Sequence, residues 1–316
     1  PFSWLVFIGD SGESIDEYML LTEPFAQRGF IVIVATPIND ETDVEETLER
    51  VTDITEIMVQ QNQTNVHVPG SAGNSDLDDW GIGGHGKGAA AAYGAYPLWE
   101  LSPRSGDVQP PRALFGVGLD LTDFPENFDW NQLTSEVEFP RPNTGFFITG
   151  TVDEVAPSQE MMERVEQTGG IAWHWMHLLG ADHYQFQDST SFFESDGTPT
   201  MSQSAQIEVS SDHLIAYFDS ILHGEHDRFR DAFNREQGPQ TVGDGSAYID
   251  EDLEAANFLL LTNFTSSHNL SSALNGSQQL VLSTNWTLRN GDSFAELNAS
   301  WDMDVNCGWE GQTWQA

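Results

Sequence analysis

The stretch from Trp80 to Tyr93, Trp-Gly-Ile-Gly-Gly-His-Gly-Lys-Gly-Ala-Ala-Ala-Ala-Tyr, gathers the residue types that could do chemistry in this chain. It reads as a strand over Trp80 to Gly84, a tight turn through Gly84, Gly86 and Gly88, and a helix that begins with the alanine run. A serine at the centre of such a turn would supply an oxygen to attack an ester carbon, with a histidine taking its proton. The central residue is Gly86, which has no side chain and cannot form an acyl-enzyme. Beside it stands Lys87, the only lysine in the chain. A lysine buried at a helix N-terminus can have a lowered pKa and assist a water molecule. The plainer reading, an ammonium pointing to solvent, carries more weight.

Other reactive side chains have weaker claims. His174 and His177 fall in a strand-like run and point to opposite faces, so they cannot share one metal ion. His223 and His226 stand at a helix end, where such side chains commonly serve as caps. The acidic runs Asp250 to Glu254 and Asp302 to Asp304 lack the spaced oxygens and glycine of a calcium loop. Trp286, Trp301, Trp309 and Trp314 could line a carbohydrate platform but fit better as filling for a small β core. No metal site and no cofactor is expected.

The elements that must position these residues alternate in type. Trp4 to Ile8 and Phe30 to Ala35 are continuous apolar runs, as in strands buried on both faces of a parallel sheet. Helical spacing runs from Ile15 to Arg28, closed by Gly29, and from Asp43 to Gln61. Asn62 to Asp79 reads as a loop. Further strands are expected at Ala113 to Gly118, Gly145 to Gly150 and Ile171 to Leu179, with helices at Pro157 to Gln167 and Ser211 to Leu222. Leu101 to Pro111 and Asp120 to Pro142 read as surface excursions. Alternating strands and helices give an α/β fold, a mostly parallel sheet with helices on both faces. From about Asp250 short strands separated by Asn, Gly and Ser turns predict a small β-rich C-terminal extension. The expected division is residues 1–240 and 241–316, with the first part lacking N-terminal strands of its fold and the chain a piece of a longer protein.

Composition narrows the functional classes. Fifty acidic and 11 basic residues give a formal net charge of −39 over 316 residues. Nothing in that balance can neutralise a nucleic-acid backbone or an anionic membrane surface. Abundant carboxylates with almost no lysine suit concentrated salt, where screening shortens repulsion to about 3 Å at molar strength. The single cysteine, Cys307, excludes an internal disulfide. Asn-x-Ser/Thr sequons at Asn62, Asn263, Asn269, Asn275, Asn285 and Asn298 cluster late in the chain and favour an extracellular or cell-surface location. No membrane-length apolar run occurs.

Gly84-His85-Gly86-Lys87-Gly88 resembles the nucleophile elbow, G-x-S-x-G, of the α/β-hydrolases except at its centre. Gly150-Thr151-Val152-Asp153 follows a strand like the family's acid loop. Gly180-Ala181-Asp182-His183 follows the next strand like its histidine loop, in the family's order of nucleophile, acid and base. The resemblance covers roughly residues 4 to 235 and is closest to dienelactone hydrolase-like and cutinase or polyester hydrolase-like serine esterases. It implies Asp153 as triad acid, His183 as triad base, and Gly86 at the nucleophile position. It implies an oxyanion hole made by the backbone N–H of Lys87 and, from the Asp10 to Gly12 loop, of Ser11. His85 then becomes a wall residue.

Three functions are compatible with that pattern. A retired hydrolase would keep fold and dyad and act as a binding or structural protein, through self-association or a surface-protein partner. An active carboxylic-ester hydrolase would use Asp153 and His183 to activate water where the serine oxygen would be. An ordinary serine esterase would carry a substitution at Gly86. The first ranks highest, and a scaffold of that kind would have either its cleft plugged by the Asp120 to Pro142 segment or its C-terminal part engaged with another copy.

Overall fold

The structure is a computed structural model that describes residues 2–36, 44–64, 70, 72–101, 108–123, 144–167, 172–189, 196–225, 227–228, 241–242 and 247–254. Beyond these it describes only short strands at 280–282, 286–288, 295–297, 301–303 and 314–315. The chain divides into two compact units, residues 1–169 with 173–253, and residues 170–172 with 254–316.

The first unit is built on strands β1 (Phe2–Ile8), β2 (Ile31–Ala35), β3 (Ser75–His85), β4 (Ala113–Val117), β5 (Thr144–Gly150) and β6 (Ala172–Leu178). They form a parallel sheet in the order β2-β1-β3-β4-β5-β6. The short strands β7 (Thr241–Val242) and β8 (Ala247–Glu254) extend its β6 edge, with β8 next to β6. The α-helices among the described residues are α1 (Met19–Arg28), α2 (Val44–Thr64), α3 (Gly86–Ala95), α4 (Ser158–Gln167) and α5 (Gln203–His223). This mostly parallel α/β sheet is compatible with an α/β-hydrolase-like fold.

Both faces of the sheet are covered, which is why its strands read as unbroken apolar runs. Alternate residues serve opposite faces. Leu5, Phe7, Phe115, Phe146 and Ile148 join Phe25 of α1 and Leu214 and Phe218 of α5 in one buried cluster. The Phe115 and Phe218 rings are 4.8 Å apart and edge-on. On the other face Phe147 meets Tyr93 of α3 at 6.0 Å and Trp175 at 5.6 Å, and Trp80 meets Trp99 at 5.2 Å.

Several boundaries differ from the sequence reading. Strand β3 begins at Ser75, inside the expected loop, because Ser75 pairs with Phe2 on β1. The first helical stretch splits into a 3-10 turn, Ile15–Tyr18, and α1. Helix α5 starts at Gln203 rather than Ser211: the Ser202 hydroxyl caps it by accepting from the Ala205 N–H, and Ala205 and Val209 are core residues. Residues 255–279 of the expected C-terminal extension lie outside the described residues, as do the sequons at Asn263, Asn269, Asn275, Asn285 and Asn298. In the second unit the described residues form only strand fragments, an antiparallel set of 286–288, 295–297 and 314–315 and a separate pair of 280–282 with 301–303. No helix among the described residues is long and apolar enough to cross a membrane.

Candidate functional site

The C-terminal ends of β1, β3, β5 and β6 feed the loops that carry the candidate residues. Strand β3 ends at His85, and the chain enters α3 at Gly86 with φ +53°, a left-handed conformation that glycine adopts without strain. Gly88 is needed for a different reason: the carbonyl of Gly9 lies where its Cβ would be. The ends of β1 and β3 therefore come close enough for the Gly9 to Gly12 loop to face the turn at Gly86.

That approach delivers a carboxylate. Oδ1 of Asp10 accepts hydrogen bonds from the backbone N–H of Ser11 and the backbone N–H of Lys87, both at 2.8 Å. These are the two donors that the family resemblance implies for an oxyanion hole. They converge on one oxygen, and that oxygen belongs to the protein. The other oxygen, Oδ2, accepts from Nε2 of His183 at 3.2 Å. A Cβ on Gly86 would overlap the Asp10 carboxyl carbon and both of its oxygens. Asp10 fills the space in which a nucleophilic side chain at position 86 would stand.

His183 is buried between two carboxylates. Its Nδ1–H donates to Oδ2 of Asp153 at 2.9 Å, while Nε2 faces Asp10. Asp153 is fixed in turn by the Ala156 N–H, which donates to Oδ1 at 2.6 Å. Asp196 ties the two loops together, accepting from the backbone N–H of Glu154 and of His183, each at 2.6 Å. Gln206 of α5 donates to the carbonyl of Asp182 at 2.8 Å, which holds the histidine loop against the helix.

Charge follows from this geometry. Burial opposes the charged form of His183, but hydrogen bonds to Asp10 and Asp153 overcome it and push its pKa up to about 10. Burial likewise works against ionised Asp10, and the hydrogen bond from His183, the charge of the two imidazoles and the Lys87 N–H together outweigh it, holding the carboxyl well below the usual range. His85, fully buried, is pushed down to about 3, by burial first and then by the positive charge on His183 4.5 Å away ring to ring. His85 is thus a neutral imidazole. Its Nε2 lies 3.1 Å from the His183 carbonyl, which can only accept, so Nε2 carries the proton. Its Nδ1 then accepts from the Tyr18 hydroxyl at 3.2 Å, and the Tyr18 oxygen accepts the Asp10 N–H at 2.7 Å.

The remaining sequence candidates fall elsewhere. Lys87 places its ammonium 2.8 Å from Asp123, near the surface, and that bond raises its pKa, which corrects the idea of a lysine with a lowered one. His177 is packed below α4, with Nδ1 2.6 Å from the Ser158 hydroxyl. Asn62 sits in the last turn of α2, and its side-chain oxygen accepts from the Ser75 N–H at 3.3 Å. Asp10 fills the turn; the expected plug, Asp120 to Pro142, lies for the most part outside the described residues. Only the start of that segment is described, where the Asp120 N–H donates to the Gly86 carbonyl at 3.2 Å.

The sequence placed the Asp10 to Gly12 loop and His85 beside the turn, the latter as a wall residue, but missed the Asp10 carboxylate as the group that fills it. The available signal was an acidic residue directly after β1, in the loop that faces an elbow lacking its side chain. Asp10, His85 and His183 bring one ligand atom each within 4.8 Å of one another. Comparison with protein-family models gives no match, and comparison with curated proteins gives none.

Proposed function

We propose that this chain is a catalytically retired member of the α/β-hydrolase fold, a pseudo-esterase that serves as a binding or structural protein at an extracellular or cell surface. The observation that carries the reading is the Asp10 carboxylate, which accepts from the Ser11 and Lys87 N–H groups and from His183 at once. An ester hydrolase needs an empty oxyanion hole, a nucleophile and a histidine able to take a proton. Here the cradle holds an internal carboxylate, position 86 has no side chain, and His183 is held in its charged form. Asp10 resembles the carboxylate product of ester cleavage, fixed in place by its own backbone.

The water-activating dyad has less support, since the water's position on the Nε2 side of His183 is occupied by Asp10. A lone serine replacement also has less support. Asp10 as placed leaves no room for a serine side chain, so Gly86 and Asp10 behave as a matched pair. Exposed Ile15, in the 3-10 turn, and Met19 and Leu20, at the start of α1, suit a chain that contacts another surface.

Hydrolysis of a short p-nitrophenyl ester in molar salt tests the reading. The native chain should show no turnover above the uncatalysed rate, and the Asp10→Gly, Gly86→Ser double variant should show it. Turnover by the native chain that His183→Ala abolishes would overturn the reading.

A further inference from the structure

We infer that Asp10, His85 and His183 form a binding site for a divalent transition-metal ion, with Oδ2 of Asp10, Nε2 of His183 and Nδ1 of His85 as the ligand atoms. The inference goes beyond the retired-esterase reading and does not depend on it, because binding and ester turnover are measured separately.

The ligand atoms are already gathered. One atom from each residue lies within 4.8 Å of the others. Oδ2 of Asp10 and Nε2 of His183 are 3.2 Å apart. Two ligands on a tetrahedral ion with bonds of about 2.0–2.1 Å stand roughly 3.3–3.4 Å apart. An ion can therefore replace the hydrogen between them with little movement. His85 must release the Tyr18 hydroxyl from Nδ1 and close on the other two ligands, since a 4.8 Å spread is wider than the spacing on one ion.

The surroundings of the three ligands are those a metal site requires. A ligating histidine ordinarily gives its other ring N–H to a carboxylate or a backbone carbonyl, which fixes its tautomer. His183 gives Nδ1–H to Asp153, and His85 gives Nε2–H to the carbonyl of His183. Those bonds leave Nε2 of His183, which faces Asp10, and Nδ1 of His85, which faces the Tyr18 hydroxyl, as the two nitrogens able to take an ion. Asp10 is oriented by the N–H groups on its far oxygen, Oδ1. Charge also matches: two carboxylates and one imidazolium sum to one negative charge. A divalent ion in place of the Nε2 proton brings the cluster to neutrality. Two imidazoles with one carboxylate select zinc and its first-row neighbours over magnesium or calcium, which prefer oxygen alone. The Asp10 side chain retains 14% exposure, so the site has an edge open to solvent.

Titration of the chelator-treated full chain with Zn2+ tests the site, followed by calorimetry in molar KCl with excess Mg2+ to occupy surface carboxylates. Co2+ absorption provides a second readout. The native chain should bind a single equivalent of Zn2+ saturably, and Co2+ should give an intense visible band of low-coordinate, imidazole-bound metal. Asp10→Asn and His85→Phe should each weaken binding by about 100-fold or more. Asp153→Asn, one bond further out, should weaken it by roughly 10–100-fold. His223→Gln should leave it unchanged. Because His183→Gln risks misfolding, the decisive variants are Asp10→Asn and His85→Phe, each checked for native circular dichroism. Absence of a saturable site in the folded native chain overturns the inference. So does binding that both folded variants retain, which would place the ion on surface carboxylates.

Discussion

The carboxyl group of Asp10 stands in the volume that a side chain on Gly86 would occupy, and a Cβ at position 86 would overlap it. The two residues are 76 positions apart yet answer one spatial question. Gly86→Ser alone therefore should not create an esterase. It meets both the carboxylate and a backbone with φ +53°. Overpacking costs about 1–3 kcal/mol and the left-handed backbone about 1–2 kcal/mol more. Asp10→Gly should relieve most of the first cost. Chemical denaturation of the two single variants and the double variant should show a favourable coupling of at least about 1 kcal/mol between the sites. Additive losses would mean that Asp10 and position 86 do not compete for space.

Asp10 also sets the charge of His183. Removing it as Asp10→Ala leaves the imidazole with Asp153 alone and exposes the Ser11 and Lys87 N–H groups to solvent or an added anion. The expected result is a lower His183 pKa, read from the pH dependence of its ring 15N shifts. Acetate, a small carboxylate, should then bind in the vacated cradle and should not bind the native chain. An unchanged His183 titration in Asp10→Ala would show that Asp153 alone holds the proton.

Local patterns made much of this fold readable. Apolar runs at Trp4 to Ile8 and Phe146 to Ile148 mark strands because both sides of the sheet are covered. Gly29 marks the end of α1, where it adopts φ +107°. The loops bearing Asp153 and His183 were legible from their positions after successive strands, and the structure sets the two side chains 2.9 Å apart. The start of α5 was not, since its cap at Ser202 precedes eight residues of mixed polarity. The role of the Asp10 side chain was harder to read, because its partners, Lys87 and His183, reach it only through the sheet. His85 carries no local sign that its ring would be neutral and wedged against a charged one.

An ion pair with one buried partner, away from the site, gives a stability test. Asp219 of α5 is fully buried and accepts from Nε of Arg28, which ends α1, at 3.0 Å. His223 and Arg228 lie 3.5 and 3.9 Å away and soften the loss of Arg28. Arg28→Met should thus cost about 1.5–3 kcal/mol, the worth of a hydrogen bond to a charged group, rather than the full penalty of an isolated buried carboxylate. Urea unfolding measures it. A cost within about 0.5 kcal/mol of zero would place the burden on His223 and Arg228.

The net charge of −39 predicts a strong response to salt. Self-repulsion among surface carboxylates opposes the compact state, and salt screens it. The midpoint of thermal unfolding should rise steadily from 0.1 to about 2 M KCl, by about 1.5 °C for each kcal/mol recovered at this chain length. A flat response would mean that the carboxylates are spaced widely enough not to repel.

The pair His85 and His183 predicts a stability optimum in pH with limbs of different origin. His183 has a folded pKa of about 10, above the ordinary value of 6.5, so its contribution is complete below pH 6.5 and declines as pH rises through 10. His85 has a folded pKa of about 3, so the unfolded chain takes up its proton first on acidification. Its contribution is complete above pH 6.5 and is lost as pH falls towards 3. Asp10, held below the usual carboxylate range, adds to the acid limb, since the unfolded chain protonates there before the folded one does. Stability should therefore peak near neutral pH and fall on both sides. Asp10→Asn should flatten the alkaline limb, because the carboxylate that holds the proton on His183 is gone, while the part of the acid limb due to His85 persists. If Asp10→Asn leaves the alkaline limb as steep as in the native chain, the charge on His183 is set by Asp153, and the Asp10 contact has no part in it.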